Sequence, residues 1–193
     1  MLIRKLFKFE NAHIVRGCTS DRCKYSIHGH SYKIEVLFES NYLDYGQMVY
    51  DFGLIKLSIK ELIDSFDHST TIWDKDDKEY VDMIKKHSLR WVALPVSPSA
   101  EQFCRVIFLM IDRLLKLTQM SNGEKEVNLH SIIVHETDTG YAKGFREDAY
   151  SKLMGEINLK DIVFSKQVMD EWSDKEMWNK LINGNIFINP TPN

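Results

Sequence analysis

Two histidines separated by a single glycine, His28 and His30, form the stretch of this sequence with the clearest potential for chemistry. In an extended strand, residues two apart point to the same face, so both imidazoles can aim at one point. Two imidazoles do not complete a metal site, and His13, at the end of the preceding strand-like segment, is the available third ligand. Three protein ligands with an open fourth position are typical of catalytic zinc. The spacing therefore indicates a zinc site, and the alternative is a set of polar histidines at strand ends.

Cys23 precedes this histidine pair by five residues, and its type permits three roles. As a fourth zinc ligand it would close the site into a structural one. As a thiolate near the metal, with its pKa lowered by the cation, it would be ready to move a proton. The third interpretation is an ordinary loop cysteine, since Cys18 lies in the same polar segment.

Two carboxylates further along the chain could serve the same chemistry. Asp67 stands beside His68 where a helix is expected to end, and in a loop the carboxylate could orient the imidazole. The alternative is a polar pair at a helix end. Glu136 follows the apolar stretch "SIIV", where a carboxylate is costly without a partner. A planar pair of N–H donors, as in a 2-amino-pyrimidinone, would satisfy it with two hydrogen bonds, whereas the alternative is a solvated glutamate at a strand end.

The composition describes a chain of one domain's size and excludes several functional classes. It has 193 residues, and 25 basic against 28 acidic residues give a net charge of −3. This balance provides no broad electrostatic surface for nucleic acid. Because the sequence contains neither a run of 18 apolar residues nor a signal-peptide pattern, we expect no membrane partner. Three cysteines are an odd number and too few for a disulfide framework, which favours a cytoplasmic protein.

The elements that must position these groups are read from hydrophobic periodicity, which predicts strand, strand, helix, helix, strand and strand in order. The predicted ranges are strands over 2–13 and 28–40, helices over 51–66 and 97–117, and strands over 127–137 and 140–147. Asp51 is the expected cap of the first helix, and Ser97 that of the second, with Pro98 at its first position. A charged segment after Ile72 predicts a surface helix, and residues 89–96 are expected to be extended. The order is typical of an α+β domain built on an antiparallel sheet.

Six short motifs in this order resemble the 6-pyruvoyltetrahydropterin synthase family. They are "FENAH", the cysteine followed by "HGHSY", "MVYDFGLIK", "FDHS", "SPSAEQF" and "VHETDTG", and the resemblance covers residues 2–147. Among the members, the most similar type is the bacterial 6-carboxytetrahydropterin synthase of queuosine biosynthesis. Four residues separate Cys23 from His28, whereas the common bacterial pattern has three and pyruvoyl-forming members tend to have more. This spacing therefore leaves open which product is formed.

The resemblance implies three kinds of site residue: zinc ligands, proton-transfer groups and groups that hold the pterin substrate. Zn²⁺ would be the cofactor, bound by His13, His28 and His30. Proton transfer would fall to Cys23, Asp67 and His68. The substrate-binding groups would be Glu136, Glu101 and Ser99.

The resemblance also implies a fold and an assembly. Members adopt the tunnelling fold, in which each subunit gives a four-stranded antiparallel sheet with two helices on one face. Subunits form barrels, and we expect a homo-oligomer, a hexamer of two trimers with active sites at subunit interfaces. Residues 1–148 would be the tunnelling-fold domain and residues 149–193 a C-terminal extension of unknown role.

The reaction implied is a zinc-dependent lyase reaction that converts 7,8-dihydroneopterin triphosphate to 6-carboxytetrahydropterin, acetaldehyde and triphosphate. The alternatives are formation of 6-pyruvoyltetrahydropterin on the route to tetrahydrobiopterin, and a non-catalytic pterin-binding zinc protein. A zinc hydrolase is disfavoured because no glutamate occupies an HExxH-like position. The basic residues near the cysteine, Arg16, Arg22 and Lys24, would attract the triphosphate or remain solvated loop charges.

Overall fold

The computed structural model of this chain describes residues 1–190. A long antiparallel hairpin lies at the centre of its main sheet. The elements in chain order are β1 (Leu2–His13), α1 (Asp21–Tyr25), β2 (His28–Glu39), α2 (Phe52–Ile55), α3 (Ser58–Asp64), β3 (Ser69–Trp73), α4 (Lys78–His87), β4 (Trp91–Leu94), α5 (Ala100–Leu117), β5 (Thr118–Gln119), β6 (Asn128–His135), β7 (Tyr141–Gly144), α6 (Arg146–Ala149), a 3-10 turn (Leu159–Asp161), β8 (Val163–Phe164), α7 (Lys166–Glu171), α8 (Met177–Asn183) and β9 (Phe187–Ile188). Strands β1 and β2 pair over their whole length, and the last pair is His13 opposite His28. The hairpin therefore brings both predicted ligands to the same end of the sheet.

The main sheet has seven strands in the order β7-β6-β2-β1-β3-β4-β8, so the predicted four-stranded antiparallel sheet is wrong in extent. The four strands β7, β6, β2 and β1 are antiparallel, as expected. β3 and β4 then extend the sheet in parallel, and β8 pairs antiparallel with β4. The segment Ser69–Trp73 follows a helix and precedes a charged run, but its β-branched residues are largely buried. The side-chain amide of Asn11 donates hydrogen bonds to the backbone carbonyls of Phe66 and Ser69 and so ties β3 to β1.

The long helix α5 supplies most of the layer that covers the sheet. Its apolar stripe is buried at Phe103, Ile107, Met110 and Leu114, and the helix packs against β6 and β7. The helix begins later than predicted, because the side chain of Ser99 accepts the hydrogen bond from the Gln102 amide and serves as the cap. Ser97 and Pro98 therefore lie before the helix.

The predicted helix over 51–66 consists of two short helices, α2 and α3. Asp51 caps α2 by accepting a hydrogen bond from the Gly53 amide, as predicted. The chain leaves helical geometry at Leu57, whose φ and ψ are −84° and −124°. The charged segment that follows β3 forms the surface helix α4, with Asp77 as its cap.

Apolar residues of the segment that follows residue 148, from Ala149 to Phe187, pack onto the same hydrophobic core. Strand β8 adds the last strand of the sheet, and the side chains of Trp172 and Trp178 are buried against Phe164. The indole of Trp172 donates to the hydroxyl of Ser65 at 2.9 Å. Within residues 1–190, no helix combines the length and the apolar character needed to cross a membrane.

Candidate metal and active site

The three predicted zinc ligands converge at the end of the β1–β2 hairpin where the connecting segment joins the two strands. His13 is the last residue of β1 and His28 the first of β2, and His30 follows on the same face. One donor atom from each ring lies within 4.8 Å of the other two, and Cys23 is not part of this cluster. Gly29 makes the approach possible, because a Cβ there would stand 3.0 Å from the backbone oxygen of Asn11. Any larger residue between the two histidines would press against β1.

The hydrogen bonds of two of these rings leave their Nε2 atoms free for a metal. His13 Nδ1 lies 2.6 Å from the carbonyl of Pro98, so Nδ1 carries the hydrogen and donates it. His13 Nε2 is then a buried acceptor without a hydrogen-bond partner in residues 1–190, which is costly unless something binds it. His28 Nδ1 likewise donates to the Ser26 carbonyl at 3.0 Å. A histidine that binds a metal through one ring nitrogen characteristically donates a hydrogen bond from the other in this way. The site therefore fits zinc.

Burial keeps two of the three imidazoles in the form that binds metal. Burial lowers the pKa of His13 to about 4, and the neighbouring His28 and His30 add to the effect, outweighing the hydrogen bond to Pro98. Burial also lowers the pKa of His30 from its ordinary value, against the opposing effect of Glu136. Both rings are therefore neutral at pH 7, as a metal ligand must be.

Glu136 lies next to the histidines and is held by a residue that the sequence analysis missed, Tyr32. Glu136 Oε1 is 3.8 Å from Nε2 of both His13 and His30. The fully buried Tyr32 donates its phenolic hydrogen to Glu136 Oε1 at 3.3 Å. Burial and the nearby Glu136 raise the pKa of Tyr32, so the phenol stays protonated. The signal was available, because Tyr32 continues the two-residue spacing of His28 and His30 on the same face.

A cavity of about 530 Å³ joins this cluster to most of the other predicted residues. It is lined by His28, His30, Glu136, Cys23, Ser99 and Glu101, among others. Cys23 is half-buried on α1, and Glu101 lies exposed in the first turn of α5, two residues after the cap residue Ser99. The structure therefore brings the thiol of Cys23 and the carboxylates of Glu101 and Glu136 to the same cavity as the metal-site imidazoles.

The predicted pair Asp67 and His68 lies outside this cavity. His68 borders a second depression, which is also lined by His30, Glu10 and Ser31, and Ser31 points to the opposite face of β2 from the histidines. His68 Nδ1 donates to Asp67 Oδ2 at 2.8 Å, and Asp67 Oδ1 accepts from the Glu10 amide at 2.8 Å. Burial raises the pKa of Asp67, but these hydrogen bonds outweigh it and hold the pKa below its ordinary value. The carboxylate is therefore charged and orients an exposed imidazole.

Comparison with known proteins gives a consistent family relationship. The family model described as 6-pyruvoyl tetrahydropterin synthase matches residues 2–147. A relative from Helicobacter pylori (strain J99), named 6-carboxy-5,6,7,8-tetrahydropterin synthase, is 37% identical over 94% of this chain and 92% of its own length. Most of the segment after residue 148 therefore lies within that alignment. A relative of the same name from Aquifex aeolicus is 30% identical over 73% of this chain and 95% of its own length.

A solved structure shares the fold. The 6-pyruvoyl tetrahydropterin synthase of Caenorhabditis elegans superposes with a TM-score of 0.51, covering 75% of this chain and 94% of its own. Its sequence identity is 20%, so this likeness concerns the fold alone.

Proposed function

The chain belongs to the 6-pyruvoyl tetrahydropterin synthase family, and we propose that it converts 7,8-dihydroneopterin triphosphate and water to 6-carboxy-5,6,7,8-tetrahydropterin, acetaldehyde and triphosphate. The chain is a pterin synthase, and its relatives at 30% and 37% identity carry the name of the carboxy-forming enzyme. That name supports a place in the synthesis of queuosine. The reaction moves electrons from the side chain to the ring, so it needs no nicotinamide or flavin.

The observation that carries this proposal is the buried Nε2 of His13, which has no hydrogen-bond partner in residues 1–190 and lies beside two further imidazoles. The donor set suits Zn²⁺, with His13, His28 and His30 as its three protein ligands. When bound, zinc would act as a Lewis acid and lower the pKa of a substrate hydroxyl. The protein groups around that position would then carry out recognition and proton transfer.

Glu136 would hold the pterin ring. Its carboxylate accepts hydrogen bonds at two oxygens, which matches the paired N–H donors on the edge of a 2-amino-pyrimidinone. About a third of the side chain is exposed, and it borders the cavity, so a ligand can reach it. With the ring fixed here, the substrate side chain would extend toward the histidines.

Cys23 would act as the base that removes a proton from the side-chain carbon next to the ring. It lines the same cavity as Glu136 but is not among the clustered metal donors, which leaves its thiol available for proton transfer. His68, oriented by Asp67, would carry protons to and from the substrate hydroxyls. Since this pair lies outside the cavity of its own chain, we propose that a neighbouring subunit of a homo-oligomer supplies it.

Product analysis tests the proposed reaction. Zinc-loaded protein is mixed with 7,8-dihydroneopterin triphosphate, and the products are identified by mass spectrometry. We expect 6-carboxytetrahydropterin together with acetaldehyde. Formation of 6-pyruvoyltetrahydropterin alone would overturn the proposed product, and absence of turnover at full zinc occupancy would favour a non-catalytic pterin-binding protein.

A further inference from the structure

The helix that carries Cys23 has no hydrophobic anchor of its own. α1 contains five residues, none of them buried, and the side chain of its cap residue Ser20 makes no capping hydrogen bond. A helix of this length is not stable without outside contacts, because nucleation costs more than a few hydrogen bonds return. The position of the Cys23 thiol must therefore be set by contacts from other segments.

One of these contacts is made by Arg16. Its Nη1 donates to the carbonyl of Lys24, the residue after Cys23, at 3.3 Å. The neighbouring amide of Val15 donates to the carbonyl of Cys23 itself at 3.1 Å. Two consecutive residues just after β1 thus hold two consecutive carbonyls of α1.

Arg16 is in turn fixed by the turn between β3 and α4. Its Nε donates to Asp76 Oδ1 at 2.9 Å, and the Asp76 side chain is only 2% exposed. The second oxygen of Asp76 accepts from the Trp73 amide at 3.3 Å. The guanidinium also lies over the ring of Tyr80, 4.9 Å from its centroid. A buried carboxylate, a backbone amide and an aromatic face therefore set the orientation of the arginine.

We propose that Arg16 is a positioning residue for Cys23, which braces α1 against the β3–α4 turn through Asp76. The role in catalysis rests on the proposed function of Cys23. From the sequence alone, Arg16 is either a charge that attracts the triphosphate or a solvated loop charge. Its ion pair with buried Asp76 instead balances that charge, and two of its three nitrogens are committed to protein acceptors.

The variant Arg16→Lys separates the two roles. Lysine keeps the positive charge but has a single nitrogen in place of the planar guanidinium. It therefore cannot make both hydrogen bonds, to Asp76 and to the Lys24 carbonyl, and also stack on Tyr80. We expect Arg16→Lys and Arg16→Ala to lower kcat by about 10- to 100-fold with KM almost unchanged, because a small displacement of a catalytic group costs this much. Lys78→Ala is the matched control, since it removes an exposed ion pair with Asp82 from the neighbouring helix α4.

Hydrogen exchange measured by mass spectrometry provides a readout that does not depend on activity. In both Arg16 variants, amides in residues 15–24 should exchange at least about tenfold faster than in wild type, whereas Lys78→Ala should match wild type. Zinc content should stay the same in all three.

Two results would overturn the proposal. One is normal kcat in Arg16→Lys together with a raised KM in Arg16→Ala, which would identify Arg16 as a phosphate-attracting charge. The other is unchanged exchange in residues 15–24 of both variants. If wild type makes no carboxytetrahydropterin, the proposed function fails on its own, and the exchange experiment still decides whether Arg16 braces α1.

Discussion

Replacing Tyr32 by phenylalanine tests how the protein holds Glu136 for the pterin ring. The change removes one hydroxyl from a side chain that is fully buried and keeps the ring that packs against Phe9 and Phe103. The phenolic hydrogen is committed to Glu136, because His13 Nδ1 already donates its own hydrogen to Pro98. Loss of the hydroxyl should therefore loosen the carboxylate and leave the core intact.

The expected size of the effect follows from the geometry of this hydrogen bond. A hydrogen bond to a charged acceptor contributes about 1.5–3 kcal/mol. The O···O distance here is 3.3 Å, which is long for an O–H donor, and the side chain of Glu136 is 33% exposed, so water can replace part of the interaction. We therefore expect a loss of about 1 kcal/mol in pterin binding, which is roughly a fivefold weaker affinity.

The assay is equilibrium binding of oxidised neopterin to zinc-loaded protein, monitored by fluorescence. Oxidised neopterin lacks the dihydro ring of the substrate. The matched control is Tyr50→Phe, another buried tyrosine, whose hydroxyl contacts Asn189 instead of the site. Zinc content is measured in both variants, because the hydroxyl of Tyr32 also lies 3.4 Å from His13 Nδ1. The control should bind neopterin as wild type does.

An affinity equal to that of wild type in Tyr32→Phe, with zinc retained, would refute the reasoning. It would mean that Glu136 is held in place without the phenol, or that this carboxylate does not bind the pterin ring. A weakened affinity accompanied by loss of zinc would refute it as well, because the hydroxyl would then act through His13 and not through Glu136.

Three further predictions concern the thiol, the assembly and the fold. Cys23→Ala should keep one zinc per chain and lose turnover, and loss of zinc measured by atomic absorption would instead identify Cys23 as a ligand. Mixed refolding of inactive Cys23→Ala with inactive His68→Ala should restore activity if each site uses both chains, and no recovery in the mixed oligomer would contradict that. Burial raises the pKa of Asp112, but hydrogen bonds from Arg146, Lys116 and Tyr150 hold it below its ordinary value. Its stabilisation is thus present above the unfolded-state pKa and is lost as the pH falls through the lowered value. Asp112→Asn should cost about 2 kcal/mol in denaturant unfolding at pH 7, since Arg146 and Lys116 stay partly solvated, and should flatten the acid dependence.

The convergence of the three histidines could be predicted from sequence because it depends on local rules. Alternation along β2 puts His28 and His30 on one face whatever the partner strand is. A hairpin whose strands both end near the connecting loop brings His13 opposite His28, and the observed register does so. Glu136 at the end of an apolar strand was recognisable as a candidate because an unpartnered carboxylate there is costly.

The contacts that complete the site could not be predicted in the same way, because they come from backbone groups far away in sequence. The carbonyl that orients His13 belongs to Pro98, and it is available because α5 begins after Ser99 and not at Ser97. Hydrophobic periodicity locates a helix but does not fix its first residue. Strand β3 was missed for a related reason, since it is short, pairs with β1 at only two positions and is tied to it by hydrogen bonds of the Asn11 side-chain amide instead of a long apolar pattern.

The turn that carries His68 gives a physical argument for its role. The backbone of His68 has a φ of 49°, in the left-handed region that a non-glycine residue occupies only at some energetic cost. Asn11 holds this turn through the carbonyls of Phe66 and Ser69, and Asp67 fixes the ring through Nδ1. Yet the imidazole is 76% exposed, and its Nε2 makes no hydrogen bond to any of residues 1–190. Within a single chain, the ordered turn and the Asp67 hydrogen bond thus orient an exposed nitrogen that has no partner among residues 1–190. This arrangement supports the proposal that the nitrogen serves a site completed by a second copy of the chain.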